Sequence, residues 1–130
     1  MDAAIRAIGA MALTIGALDA VWLSIRNNYH QSFFKAVQGS PLQVRLIPAL
    51  LIYVLMPFAL YLWAGGKTLQ EAVAKGALVG FILYAFYDLT NYATLQGWTF
   101  DMTVFDVMWG VVVCAAGAAV GYSINSRTKQ

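Results

Sequence analysis

The chain has 130 residues, of which 61% are hydrophobic and 11% charged, with a net charge of +2 and a mean hydropathy of +0.67. A soluble domain carries about 25% charged residues, so this composition excludes an ordinary soluble protein. It indicates a single integral membrane domain with room for about four spans of roughly 20 residues. The eight basic residues are scattered, leaving no nucleic-acid footprint. The single cysteine, Cys114, falls in an apolar run, cannot form an intrachain disulfide and reads as a small buried hydrophobe.

Span one covers about residues 5–25. Residues 7–18 are apolar and follow Arg6, as in a signal peptide. Asp2 spoils the basic start, however, and Asp19, Trp22 and Arg26 stand where small residues should guide cleavage, so the segment is expected to be retained. Its many Ala and Gly residues permit close helix approach in lipid. Asp19, Trp22 and Arg26 recur at i, i+3, i+7 and share a face with Gly16.

Residues 26–40 form the longest polar connection, in which Tyr29, Phe33, Phe34 and Val37 are spaced for a short amphipathic turn in the membrane interface. Ser40-Pro41-Leu42-Gln43 predicts a helix start, with serine as N-cap, proline first in the helix and glutamine closing a capping box. Span two, about 46–64, is uncharged, with Tyr53 and Tyr61 its only polar side chains. It is expected to be peripheral and lipid-facing, bent at Pro48 and Pro57, with Trp63 in the interfacial belt. Gly65-Gly66-Lys67 is a turn, and Thr68-Leu69-Gln70-Glu71 predicts a second capping box and a helix from near Leu69. Span three, about 76–95, holds a GxxxG pair at Gly76 and Gly80 and then the polar stretch Tyr84 to Asn91. Span four, about 103–124, holds Asp106, Trp109, Gly110 and a second pair at Gly117 and Gly121; the polar tail from Asn125 to Gln130 is expected to fray. Both glycine pairs are expected to pack spans three and four within the monomer, with a homo-oligomer through Gly76/Gly80 or Gly117/Gly121 as the second use. The expected fold is an all-α integral membrane four-helix transmembrane bundle, its polar site built by spans one, three and four.

Tyr84, Tyr87, Asp88 and Asn91 are spaced i, i+3, i+4, i+7 and share a helical face. An acid inside an apolar span is costly unless something satisfies it. Spans joined by short connections alternate in direction, so depth follows from a rise of about 1.5 Å per residue. Asp19 and Asp88 lie past the midpoints of spans one and three, and Asp106 lies before that of span four. All three therefore fall in the same half of the bilayer, toward the 26–40 connection, with Tyr29, His30 and Trp98. Crowded, partly desolvated carboxylates hold protons more readily, which suits proton coupling or acid/base work. The candidate substrate or proton site is Asp88, Asn91, Asp19, Asp106, Tyr84, Tyr87, Trp22, Trp109 and His30.

Plainer roles stand beside these. Thr103-Val104-Phe105-Asp106 reads as a capping box, Asp19 can pair with Arg26, and Asn91 can tie helices together. The two tyrosines can pack; Trp22, Trp98 and Trp109 fit an interfacial belt; a lone interfacial histidine is ordinarily solvated. Asp88 has no cation within its own helical turn and no capping role in mid-span. Three aspartates and one histidine could hold a divalent ion, but no pair shows the i, i+4 spacing of a dedicated helix site. With no Ser/His/Asp triad, phosphate loop or haem motif either, no metal or cofactor is expected. Arg6, Lys67, Lys75, Arg127 and Lys129 lie on one side, and Arg26, Lys35 and Arg45 on the other, which favours both termini in the cytoplasm.

Certain features taken together resemble a known family. They are Leu18-Asp19-Ala20-Val21-Trp22-Leu23, Pro48-Ala49 with Tyr53, Gly76-Ala77-Leu78-Val79-Gly80, Tyr84 with Tyr87-Asp88-Leu89-Thr90-Asn91, Trp98, and Asp106-Val107-Met108-Trp109-Gly110. The family is that of small bacterial predicted membrane proteins catalogued as domain of unknown function 2177, and the features span nearly the whole chain. The resemblance implies a multi-pass protein of the bacterial inner membrane with four spans, and it implies no established activity or catalytic residue. It carries an association with genes for fatty-acid-modifying enzymes, which points toward lipid metabolism.

Three functions are compatible with these residues. One is a site that binds or moves a small solute or lipid head group with protonation of Asp88. Another is a membrane enzyme or accessory subunit of lipid or fatty-acid modification. The third is an assembly protein whose polar residues only tie helices together. Membrane lipids are the expected partners.

Overall fold

The computed structural model describes residues 2–127. It contains five helices: α1 (Ala3–Ile25), α2 (Asn27–Gln38), α3 (Leu46–Trp63), α4 (Leu69–Thr94) and α5 (Phe100–Arg127), with no strand among the described residues. All except α2 are long and apolar enough to cross a membrane. They are the four expected spans. The helical part of the expected frayed tail reaches Arg127, because Asn125 and Ser126 continue α5; Thr128 to Gln130, including Lys129 of the charge balance, lie outside the described residues.

Local chemistry sets most of the boundaries. α1 closes at Arg26, whose N–H donates to the Trp22 carbonyl, and α2 begins at the next residue. Gly39 ends α2 in the left-handed region (φ 76°), where a side chain would be strained, and its N–H donates to the Lys35 carbonyl. α4 starts as expected: Thr68 caps it by accepting from the Glu71 N–H at 3.1 Å. The Glu71 carboxylate reaches back one residue further than a capping box requires, to the Lys67 N–H at 2.9 Å.

Two expected helix starts are corrected. Residues 41–45 are not helical, Arg45 is extended, and α3 begins at Leu46. A helix from Pro41 would place Pro48 two turns inside, where its ring meets a carbonyl and its missing N–H breaks a bond. Starting at Leu46 puts Pro48 in the first turn, where that N–H has no intrahelical partner to lose, so no bend is called for there. The Gln38 amide holds the start of this connection by donating to the Ser40 and Pro41 carbonyls, each at 3.0 Å. Likewise Thr103 is not the cap of α5. Thr99 is, accepting from the Met102 N–H at 3.2 Å, which leaves Asp106 in the second turn with no capping role.

α4 and α5 form the most extensive helix pair. Gly76 faces the Cys114 carbonyl and Ala118, and Gly80 faces the Gly110 carbonyl. This is the close backbone approach that small residues allow in lipid. The second glycine pair works differently from the expectation. Gly117 meets Ile15 of α1 and Leu60 of α3, and Gly121 meets Met11 of α1. Hence α5 is the central helix, with α4 on one flank and α1 with α3 on the other. The core among them is Met11, Ile15, Leu60, Val113, Cys114 and Ala118. The outer faces of α3 and α4 expose Leu51, Val54, Leu55, Phe58, Ile82, Phe86 and Leu89, as a lipid-facing surface does.

Candidate functional site: an aspartate-centred polar layer

The polar residues gather where α1 ends, α3 begins, α4 ends and α5 begins, beneath the surface helix α2. Asp19 of α1 sits between two other helices. Its Oδ1 accepts from Trp109 Nε1 of α5 at 2.7 Å, and its Oδ2 accepts from the Tyr53 hydroxyl of α3 at 3.1 Å. Both oxygens are satisfied, so this carboxylate ties three helices together. Trp22 and Trp109, each three residues after an aspartate, stack face to face with centroids 4.7 Å apart and planes 3° apart. The repeated Asp-x-x-Trp spacing therefore has a structural meaning: it presents one ring from α1 to one ring from α5. These two tryptophans are half-buried parts of the layer.

Arg26 does not pair with Asp19. Its guanidinium lies over the rings of Tyr29 (4.3 Å), Phe105 (4.9 Å) and Trp22 (5.1 Å). No carboxylate of the described residues is within ion-pair distance of it. Three aromatic faces stabilise the cation at the edge of the apolar region.

Asp88 stands in the opposite condition to Asp19. It is 0% exposed, and neither carboxylate oxygen has a hydrogen-bond partner. The polar groups bearing on it are the Asp106 carboxyl and the Trp98 indole. Trp98 is 4% exposed, not belt-like, and its Nε1 donates to Thr103 Oγ1 at 3.2 Å. Its ring meets Phe33 and Phe34 of α2 and Tyr87 of α4 edge-on. The α4–α5 turn and the apolar side of α2 thus cover this corner of the layer. Asp106 interacts electrostatically with both Asp19 and Asp88 and so stands between the other two carboxylates. Among the described residues no three His, Cys, Asp or Glu side chains are placed to hold one metal ion.

The shared face of α4 divides by exposure. Asp88 points fully inward, while Tyr84 and Asn91 are half-buried. Tyr84 packs its ring on Gly110, where any side chain would collide with it. Tyr87 is 54% exposed and lies beside Asn91, so it borders the layer without lining it.

His30 is buried, at 7% exposure, and not the solvated side chain that an interfacial histidine suggests. Its Nδ1 lies 3.1 Å from the Arg26 carbonyl. A carbonyl only accepts, so Nδ1 carries the hydrogen. Burial holds the imidazole below its ordinary value of 6.5; the Arg26 charge adds to this, whereas the bond to the Arg26 carbonyl and the Asp106 charge oppose it. Since the group is harder to protonate when α2 is docked, docking is strongest with His30 neutral and weakens as pH falls below about 6.5. Hydrogen-exchange protection of the α2 amides is expected to fall over that range in the wild type and to stay level in His30→Gln.

Sequence reasoning missed Tyr53, which comes from the span that was expected to be peripheral. The signal was present: Tyr53 is a polar side chain in an otherwise apolar span, and it lies in the half of α3 nearest the layer. The aromatic seat of Arg26 and the Trp98–Thr103 bond gave no pattern in one dimension.

No curated protein and no solved structure matches the chain. The family described as predicted membrane protein (DUF2177) matches residues 4–123, which covers most of each span and every residue of the polar layer, and the chain belongs to that family.

Proposed function

We propose that the bundle binds or moves a small solute or lipid head group at the Asp88–Asp106 pair, and that a proton is exchanged at Asp88 as it does so. The observation that carries this is the condition of Asp88: fully buried, beside a second carboxylate, with no hydrogen bond to either oxygen. A carboxyl group without a partner costs several kcal/mol in an apolar setting, on the order of 2–7 for a neutral polar group and more for a charge. Acids at such depth mark ion pathways and proton relays. Asp19 and Tyr53 hold the frame, Trp98 and α2 cover the outer side, and Arg26 and His30 stand at the rim. On the charge balance of the connections, the layer faces the outer leaflet of the bacterial inner membrane and the termini face the cytoplasm.

Proteoliposomes carrying an internal pH-sensitive dye test the proton step. Under an imposed pH gradient, wild-type protein is expected to pass protons faster than empty vesicles. Asp88→Asn, which keeps the side-chain volume, is expected to insert and fold normally and to reduce the flux at least tenfold, about 1.4 kcal/mol in barrier terms. A variant with wild-type flux across the pH range would sink the proposal.

A further inference from the structure

One buried titratable group has no part in the proton step at Asp88. His30 lies on α2, outside the four spans, and shares a face of that helix with Phe33 and Phe34, three and four residues on. Those two rings close on Trp98, whose indole bears on Asp88. One turn before His30, the Arg26 guanidinium is seated on Phe105, the neighbour of Asp106. His30 is thus held between the cover of Asp88 and the turn of α5 that carries Asp106. The charged groups acting on its ring are Arg26 at the end of α1 and Asp106 of α5, and Tyr29 of its own helix meets it edge-on. Nδ1 is committed to the Arg26 carbonyl, so Nε2 is the nitrogen left to accept a proton. Among the described residues, the only unpartnered polar side-chain atoms sealed from the surface are the two oxygens of Asp88. Nε2 of His30 therefore reaches the surface, and around it α2 exposes Asn27, Gln31 and Lys35, a wet face. Asp106 has no such outlet of its own. It is half-buried, roughly 9 Å along α5, and its exposed neighbours there are Phe105 and Met108, which face lipid.

We infer that His30 is the relay through which Asp106, and beyond it Asp88, exchanges protons with the water over α2. The inference rests on the proton step proposed at Asp88 and adds its route. Nε2 takes a proton from water, giving an imidazolium, and delivers that proton to a carboxylate oxygen of Asp106, which returns the ring to its neutral form. Asp106 then passes the proton to Asp88, and the reverse sequence releases it. Nδ1 keeps its hydrogen and its bond to the Arg26 carbonyl throughout, so the ring stays in one tautomer. Imidazole suits the task because its charge changes near neutral pH, whereas a carboxyl group alone holds a proton poorly in water. Asp106 is the acid that acts on both His30 and Asp88, as the middle member of such a chain must.

The test is proton flux in the same proteoliposomes, above about pH 7, where His30 is neutral and α2 is docked. His30→Gln is expected to slow the flux about tenfold while the α2 amides keep their wild-type hydrogen-exchange protection, a combination that a purely structural histidine would not give. His30→Ala is expected to be equally slow and to recover with added imidazole, which takes the place of the missing ring. The same imidazole is expected to leave the double variant of His30→Ala with Asp88→Asn slow, which separates rescue of the route from leakage of imidazole across the bilayer. Wild-type flux in His30→Gln, with Asp88→Asn still slow, overturns the relay and leaves the proton step at Asp88 standing. A His30→Ala protein that imidazole does not restore overturns it as well, because the histidine then only docks α2. Wild-type flux in Asp88→Asn removes the proton step itself, and the relay with it.

Discussion

Gly80→Val is expected to destabilise the bundle by about 3 kcal/mol or more, at the upper end of overpacking. A Cβ at Gly80 runs into the Gly110 carbonyl, with the Gly110 carbonyl carbon 2.8 Å and the Cys114 Cβ 2.7 Å away. Two of the three obstacles are backbone, and the backbone in question is the middle of the central helix. Relief requires moving α5 bodily, which loosens its contacts with α1 and α3 as well, or moving α4 and opening the corner that holds Asp88. Gly110 adds to the rigidity, since the Tyr84 ring fills the space its own side chain would need. Gly9→Ala is the control: it is also helical, but nothing lies within 4 Å of its Cβ. That change should be neutral or slightly stabilising, by up to about 1 kcal/mol. Unfolding in mixed micelles, followed by circular dichroism as the denaturing detergent is raised, measures both. A Gly80→Val protein that unfolds like wild type would mean that α4 and α5 do not meet through Gly80.

How much of this was open to a reader of the chain depends on which physical signal each part rests on. The four spans rest on hydropathy, which is local, and they stand where the apolar runs put them. The common level of Asp19, Asp88 and Asp106 rests only on alternating direction and helical rise, so it too is legible. What fails is anything decided by competition between local signals. Ser40-Pro41 is a good cap, but Pro48 is a stronger constraint seven residues on, and only one helix start satisfies both the proline and the chain. Thr99 and Thr103 are both acceptable caps one turn apart; the bond from Trp98 to Thr103 decides between them. His30 is read as solvated because an isolated amphipathic helix would leave it so, whereas packing of α2 on the Trp98 turn buries it. Tyr53 is overlooked because two phenols eight residues apart are a weak marker of which side of an otherwise apolar helix faces inward. The difference between Asp19 and Asp88, the same residue at nearly the same depth, is not in the sequence at all. It is made by which side chains of other helices reach each one.

That difference is the basis of the last expectation. Asp19→Ala removes an acceptor shared by Trp109 and Tyr53 and leaves an indole N–H and a phenol without partners. Hydrogen bonds to a charged group contribute roughly 1.5–3 kcal/mol each, while those measured between membrane helices average about 0.6 kcal/mol; the expected loss lies between, at about 3 kcal/mol for the pair. Asp19→Asn should cost only about 1 kcal/mol, because an amide can accept from the indole and donate to the phenol. A cycle of Asp19→Ala with Trp109→Phe is expected to show coupling of about 1–2 kcal/mol. Asp88→Asn should behave in the reverse way. It removes an acid that faces Asp106, and an amide can still donate to that carboxylate, so stability should hold or rise while proton flux falls. One set of unfolding curves and one flux assay thus separate a carboxylate that holds helices from one that works. If Asp88→Asn unfolds early while Asp19→Ala does not, the two roles are exchanged, and the pathway must be sought around Trp109 and Tyr53 instead.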